Sequence, residues 1–375
     1  MNTYLKRTWA EINLDNLIFN YNNIKAFSNG KEIIAVVKAN AYGHGDITIS
    51  RELMQLGVRY FAVSNIWEAK RLRNADIKGD ILIFSYTDLT DIKNDSNFIF
   101  TVGNVDYAKQ LNELAWSLNR QIRVHIKIDS GMSRVGVSSK KELEEIMALE
   151  WLKCEGAYTH FAVADSKNTD DIEFTEKQQK RFLNIAGESG LHLHSQNSGG
   201  ITLYSDFIGD FIRPGIILYG QKPSSNIELP IKIKPVLKLK SIISQIKIYN
   251  GGEFVSYGRK YEIKKKSKIA VIPVGYADGY PRFLTNKGVV LINGQTAPVV
   301  GTICMDLMMV NISHIDNAKV GDEVSLYSDE SIKTSLDTIA DEIGTISYEL
   351  LCDIGMRVPR VFYKNNNIIN VERYI

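Results

Sequence analysis

The first 220 residues repeat one unit: a short apolar run, a polar residue at its end, and then an amphipathic helical segment. This alternation predicts parallel strands joined by helices, and eight such runs fit a closed (β/α)8 barrel. A seven- or nine-strand α/β sheet is the alternative. The predicted strands are 33–37, 60–63, 80–84, 98–102, 122–128, 155–161, 191–195 and 211–219, and the predicted helices are 15–27, 47–56, 65–74, 105–119, 139–149 and 176–189, the first with Asp15 as its N-cap.

The sequence pattern changes after 222–230 (KPSSNIELP). Alternating apolar and polar runs, separated by Gly and Asn-Gly signals, are typical of antiparallel β structure. A short helix is predicted at 335–343. We therefore expect an α/β protein: a barrel over residues 1–232, followed by a mainly antiparallel β domain over residues 233–375.

Composition narrows the classes of function. A net charge of +2 argues against a role on nucleic acid or on an anionic membrane. The N-terminus lacks the apolar core of a signal peptide, and no apolar run reaches the roughly 18–20 residues that span a bilayer. The three cysteines have no CxxC spacing, which favours reduced thiols, a cytoplasmic protein and no metal site.

The residues at the ends of the predicted strands suggest chemistry. Lys38 follows the β-branched run 33–37, where desolvation would lower its pKa from about 10.4 toward the range of a nucleophilic amine. A strand-end lysine that reaches out to solvent is the plainer alternative. Asn197 with Ser198, and Arg213 with Gly215, lie in glycine turns of the kind that bind phosphate. Together these residues suggest pyridoxal phosphate held by Lys38 as a Schiff base.

The chain resembles the alanine racemase family along almost its whole length. The matching segments are WAEINLDNL, VVKANAYGHG, IKIDSGMSRVG, YTHFAVAD, QNSGG, IRPGIILYG, VSYGRKY, VGYADGY, VVGTICMD, ISYEL and RVPR. The resemblance implies a barrel plus β domain, bound pyridoxal 5'-phosphate, and a head-to-tail homodimer. In such a dimer the β domain of one subunit completes the active site of the other.

The resemblance also implies two bases that act on opposite faces of one carbon. Lys38 matches the lysine that holds the cofactor, and Tyr257 matches a base supplied by the partner subunit. His160 matches the residue that hydrogen-bonds this tyrosine. Arg213 matches the arginine that faces the pyridine nitrogen, which an arginine, having no acceptor, would leave unprotonated.

Further contacts are implied by the same matches. Arg134 would contact the cofactor and the substrate carboxylate, Met305 would offer its backbone N–H to that carboxylate, and Tyr276 would line the substrate entryway. Lys127 matches a lysine that many members carry as a carbamate. The cofactor phosphate would be bound by Tyr42, Ser198, Gly215, Ile216 and Tyr348, beside Asn197.

The resemblance implies interconversion of L-alanine and D-alanine through a pyridoxal-phosphate aldimine, which would supply D-alanine for peptidoglycan. A serine, lysine or ornithine racemase of the same fold is one alternative, and a non-catalytic pyridoxal-phosphate carrier or a two-domain decarboxylase is another. Two positions depart from the family pattern: Ser133 stands where glycine is common, and Ser347 where asparagine often occurs. Neither change removes a chemical group from the site.

Overall fold

Eight parallel strands form a barrel in the computed structural model, which describes residues 7–94 and 97–375. The chain starts with strand β1 (Thr8–Asn13), and the barrel strands follow it. They are β2 (Glu32–Val36), β3 (Tyr60–Val63), β4 (Asp80–Ile83), β5 (Ile99–Val102), β6 (Ile122–Lys127), β7 (Leu152–Tyr158), β8 (His192–His194) and β9 (Phe211–Ile212). From β2 to β8 each strand pairs with the next along the chain, and β9 pairs with β2. Backbone hydrogen bonds from Asp210 to Leu193 (2.7 Å) and from Arg213 to Gln196 (3.0 Å) close the ring. The predicted barrel is therefore confirmed.

Helices follow the barrel strands nearly as predicted. The first is capped by Asn13, whose side chain accepts the Asn16 N–H at 3.0 Å, and not by Asp15, which lies within its first turn. The helix predicted at 176–189 starts earlier, at Thr169, and a short helix at Leu89–Asn94 was not predicted. The barrel helices are Leu14–Phe27, Asp46–Gln55, Ile66–Asn74, Leu89–Asn94, Val105–Ser117, Lys140–Met147, Thr169–Ala186 and Ser198–Leu203.

The strand predicted at 211–219 is wrong beyond Ile212. Pro214 has no N–H to donate, and the chain then forms two tight turns, in which Leu218 bonds to Gly215 (2.9 Å) and Tyr219 to Ile216 (3.1 Å). The apolar run 216–219 is nevertheless completely buried. A fully buried run carries no periodicity that separates a strand from a turn, which explains the error.

The C-terminal domain is mainly antiparallel, as predicted. Its strands are β10 (Leu237–Ile242), β11 (Gln245–Tyr249), β12 (Glu253–Val255), β13 (Tyr261–Ile263), β14 (Ser267–Ile272), β15 (Val289–Ile292), β16 (Gln295–Pro298), β17 (Met308–Asn311), β18 (Glu323–Tyr327), β19 (Arg360–Lys364) and β20 (Asn367–Glu372). They form a seven-stranded sheet of order β16-β15-β18-β10-β1-β19-β20, a three-stranded sheet (β11-β14-β17) and a two-stranded sheet (β12-β13). Its short helices are Leu336–Ile343, close to the predicted 335–343, and Ser347–Cys352, which was not predicted.

Strand β1 belongs to the seven-stranded sheet of the C-terminal domain, although residues 1–232 were predicted to form the barrel domain. It pairs antiparallel with β10 and parallel with β19. Its residues Trp9, Ala10 and Ile12 are buried. The strand has only six residues, with three polar ones among them, so its own pattern does not reveal which sheet it joins. The proposed division near residue 232 stays a prediction, with residues 8–13 moved to the second domain.

One continuous apolar core includes residues of both the barrel and the large sheet. Among the described residues, no helix combines the length and the apolar character that crossing a membrane requires.

Candidate active site

Five cationic or titratable side chains meet at the carboxyl ends of four barrel strands, β2, β6, β7 and β9. Burial lowers the pKa of His160 well below its ordinary value, and the positive charges of Arg213, Lys127, Arg134 and Lys38 lower it further. Four basic side chains that the sequence predicted for one site therefore all lie close enough to His160 to affect its pKa. Their convergence is typical of an active site at the C-terminal face of a barrel.

Lys38 opens a turn of unusual backbone conformation. The four residues after it, Ala39–Tyr42, have φ angles of 52 to 54°, which is the left-handed region. Glu68 stabilises the start of the turn, because its carboxylate accepts the N–H groups of Ala39 (2.8 Å) and Ser64 (2.7 Å). The Asn40 side chain accepts the Asp46 N–H at 3.0 Å and so connects the turn to the following helix.

The C-terminal domain holds the other end of the same turn. Arg360 is almost completely buried, and its Nε donates to the Gly43 carbonyl at 2.8 Å. Gly43 has a φ of 79°, and a Cβ at this position would lie 2.1 Å from the carbonyl oxygen of Leu351. Glycine is therefore required here both for its conformation and for the close approach of the two domains.

Two lysines in the site have lowered basicity. Burial, followed by the charge of Arg134, lowers the pKa of the half-buried Lys38. Lys127 is only 6% exposed, and burial together with the charge of Arg213 lowers its pKa to about 7. Its Nζ donates to the carbonyl of Ile128 at 2.9 Å. At neutral pH a large fraction of Lys127 is therefore a neutral, nucleophilic amine.

Arg213 is fixed by its two terminal nitrogens. Nη1 donates to Nδ1 and to the carbonyl oxygen of His194 (2.8 and 2.7 Å), and Nη2 donates to the carbonyl oxygens of Thr159 (2.7 Å) and Ser195 (3.1 Å). Because an arginine only donates, Nδ1 of His194 must be an acceptor, so its Nε2–H donates to Nδ1 of His125 at 2.9 Å. Among the described residues, Nε of Arg213 makes no hydrogen bond, which leaves it available to a ligand.

The residues expected to bind phosphate lie around Gly215. The Ser198 hydroxyl accepts the Gly215 N–H at 3.1 Å, and a Cβ on Gly215 would lie 2.5 Å from the Tyr42 hydroxyl. The ring of Tyr42 is 6.1 Å from that of Tyr348. Asn197 caps the helix that Ser198 begins and donates weakly to His160 (3.5 Å). Ile216, the residue after Gly215, is completely buried.

The candidate residues of the β domain lie apart from this cluster. Tyr257, Met305 and Tyr276 are 73%, 52% and 43% exposed. No hydrogen bond, ion pair or ring contact within residues 7–94 and 97–375 joins their side chains to the barrel residues of the site. Ser256, directly before Tyr257, has a φ of 65°, and its hydroxyl donates to the Thr302 carbonyl at 2.6 Å. The tyrosine is thus presented outward from a fixed turn.

Several residues of this region were not predicted. Glu68 and Arg360 contact the turn after Lys38, and His194 contacts Arg213. Each contact joins residues that are separated in the sequence, so no local pattern predicts it. RVPR was one of the segments that match the family, and its last residue, Arg360, is the one that contacts the Lys38 turn. Ser133 stands where glycine is common in the family, and its φ of 57° gives the reason, because glycine adopts this left-handed conformation more easily than other residues.

Comparisons with known proteins assign the family. Residues 12–223 match the model of the alanine racemase N-terminal domain, and residues 236–362 match that of the alanine racemase C-terminal domain. The chain belongs to the alanine racemase family. It is therefore an isomerase, and its reaction is the racemisation of alanine; the alternative substrates are not favoured.

Individual relatives cover the whole chain. The alanine racemase of Clostridium perfringens strain SM101 is 41% identical, over 100% of both chains. The solved alanine racemase of Clostridium difficile 630 is 39% identical over 100% of both chains, with a TM-score of 0.93. The alanine racemase of Bartonella henselae, solved with covalently bound pyridoxal phosphate, is 30% identical, with 95% of this chain and 99% of that one covered and a TM-score of 0.85.

The buried His44 makes the Lys38 turn sensitive to acid. Burial lowers its pKa from 6.5 to about 4, so between these values the unfolded chain binds the extra proton and the native state does not. Stability therefore falls as the pH drops from 6.5 to 4, by up to about 3 kcal/mol from this group. Denaturant unfolding across this range should show a shallower fall for His44→Gln than for the parent protein. The exposed His192→Gln is the control and should leave the slope unchanged. Equal slopes for the parent and His44→Gln would contradict this assignment.

Proposed function

We propose that pyridoxal 5'-phosphate bound in the barrel mouth carries the racemisation of alanine, and that two copies of the chain form a head-to-tail homodimer. The observation that carries this proposal is the separation of the two expected bases. Lys38 lies in a cationic cluster of the barrel, whereas Tyr257 is exposed on the β domain without a contact to that cluster. A second copy would bring the two groups together.

The residues of the barrel mouth fit this cofactor. The hydroxyls of Ser198, Tyr42 and Tyr348 are donors suited to a phosphate. The Gly215 amide donates to the Ser198 hydroxyl in this structure, and together with the neighbouring Ile216 amide it would complete the phosphate site. The absence of a side chain on Gly215 leaves room beside the Tyr42 hydroxyl. The covalently bound cofactor of the Bartonella henselae relative supports the same assignment.

Arg213 suits the ring nitrogen of the cofactor. When bound, the ring draws electron density from the substrate carbon that loses its proton. Burial lowers the pKa of Arg213 to about 10, so its guanidinium stays protonated at neutral pH and can donate through Nε. It has no lone pair to offer and would leave the ring nitrogen unprotonated, which limits side reactions.

Lys38 and Tyr257 would move protons on opposite faces of the substrate. Burial and the charge of Arg134 lower the pKa of Lys38, which favours the neutral amine that can accept a proton. Tyr257 of the second copy would donate or accept on the other face, oriented through His160. Arg134 and the Met305 backbone N–H would bind the substrate carboxylate, with Tyr276 at the entryway.

The physiological setting follows from the product. D-alanine is a building block of peptidoglycan, and we infer that the protein supplies it in the cytoplasm. Cys154, Cys304 and Cys352 are free, which suits a reducing compartment.

Mixing two inactive variants tests the shared site. Lys38→Ala and Tyr257→Phe homodimers should each lose orders of magnitude in activity, because each lacks one positioned acid–base group. After subunit exchange, half of the dimers are mixed, and each has one site with both groups intact. About a quarter of the parent activity should return when equal amounts are mixed.

A matched control uses the double variant. Lys38→Ala mixed with Lys38→Ala/Tyr257→Phe should recover nothing, since no dimer then contains an intact Lys38. If the first mixture also stays inactive, although exchange is verified by differential labelling, each site must be built within one chain.

We also propose that Lys127 is a carbamate in the working enzyme. Its neutral amine would attack carbon dioxide, forming an N–C bond and releasing one proton. The product is an anion beside Arg213 and Arg134, in place of a cation that their charges disfavour.

Carbon NMR with isotopically labelled bicarbonate checks this proposal. We expect one protected carbamate signal in the native protein and none in Lys127→Met, whereas Lys140→Met, at an exposed position, should keep it. The same signal in all three proteins would assign it elsewhere, and no signal in the parent protein would exclude the modification.

A further inference from the structure

The side chain of Asp278 is completely buried, although it lies below two exposed turns of the β domain. Its carboxylate accepts two hydrogen bonds from Arg7 (2.8 and 3.1 Å) and one from Nε of Arg357 (2.9 Å). It also accepts the Gly275 N–H at 3.0 Å. We call Arg7, Asp278 and Arg357 the Asp278 cluster. A buried carboxylate with this set of donors is held in a single geometry.

The cluster reaches the turn that carries Met305. Arg357 donates to the Asp306 carboxylate at 2.6 Å and to the Met305 carbonyl at 3.4 Å. Arg7 donates to the Asp306 carbonyl at 3.4 Å. Both arginines therefore connect one buried carboxylate to the backbone of this turn.

The turn that carries Tyr276 is joined to the same place. Tyr276 and Ala277 donate their N–H groups to the carbonyls of Cys304 and Met305, both at 3.1 Å. A Cβ on Gly275 would lie 2.2 Å from the Cys304 carbonyl oxygen, so the two backbones are in direct contact. These contacts join the two turns, and the Asp278 cluster lies beneath both.

The exposed ends of these turns have little apolar support, although the flanking residues Val274 and Ile303 are completely buried. Met305, Tyr276 and Leu307 all expose two-fifths or more of their surface. We therefore expect the ionic contacts of the Asp278 cluster, together with the backbone hydrogen bonds, to hold the exposed part of both turns in place.

We propose that the Asp278 cluster is a positioning device for the reaction. It fixes the Met305 N–H and Tyr276 in the geometry that the partner subunit's barrel requires, and its residues touch neither substrate nor cofactor. This inference rests on the proposed function, since it assumes that both turns enter the site of a second copy. N-terminal residue Arg7, brought there by strand β1, thus serves a site formed by residues some 270–300 positions later in the chain.

The test uses Arg357→Gln and Arg7→Gln, whose arginines are partly exposed, so that the variants keep the buried Asp278. Hydrogen–deuterium exchange of the full-length protein should become at least about tenfold faster in peptides covering 275–279 and 303–307, and unchanged in the barrel peptides around Lys38. KM for alanine should rise about tenfold, with kcat within about threefold of the parent value, because substrate placement is loosened while the proton-transfer groups stay.

Lys140→Gln is the matched control, because it removes an exposed ion pair with Glu188 far from both turns. It should change neither exchange nor KM. Parent-like exchange in both peptides for both arginine variants overturns the proposal, as does faster exchange spread over the whole protein. The exchange readouts need no turnover, so they fail independently of the proposed function, which is overturned instead if the mixture of Lys38→Ala and Tyr257→Phe stays inactive after subunit exchange.

Discussion

The left-handed turn after Lys38 is the constraint on which the site depends. Each L-residue in this conformation costs about 1–2 kcal/mol, so the four residues Ala39–Tyr42 together cost an amount comparable with the net stability of a whole domain. Such a turn persists only where surrounding contacts determine it, and strained backbone of this kind is concentrated at functional sites. Here the turn ends the first barrel strand abruptly and leaves the Lys38 amine within reach of the charge of Arg134.

The contacts that hold this turn come from both domains. Glu68 belongs to the barrel, whereas Arg360 and the Leu351 carbonyl belong to the C-terminal domain. The first strand of the chain also lies in the C-terminal sheet. The conformation of the turn after Lys38 therefore depends on contacts from the β domain as well as from the barrel. The β domain has two roles. It supports the lysine of its own chain, and in our proposal it completes the site of its partner.

The sequence predicted the parts of the fold that repeat locally. The eight barrel strands and most helices follow from apolar periodicity, and Lys38, His160 and Arg213 were found because active-site residues follow barrel strands. The strand β1, the turns at 213–219 and the left-handed turn could not be predicted in this way. Their conformations are set by partners far along the chain, and Ala39 and Ala41 carry no intrinsic preference for a positive φ. The roles of Tyr257 and Met305 came from the family resemblance, because exposure on one chain does not reveal what a second chain brings.

The two lysines of lowered pKa give the sharpest test of the central claim, that the left-handed turn presents Lys38 to the cofactor. The purified protein, loaded with pyridoxal 5'-phosphate, is reduced with borohydride, digested and mapped by mass spectrometry. We predict a stable pyridoxyl group on Lys38 alone, and none in Lys38→Ala. A pyridoxyl group on Lys127 in the parent protein, with Lys38 unmodified, would contradict the account.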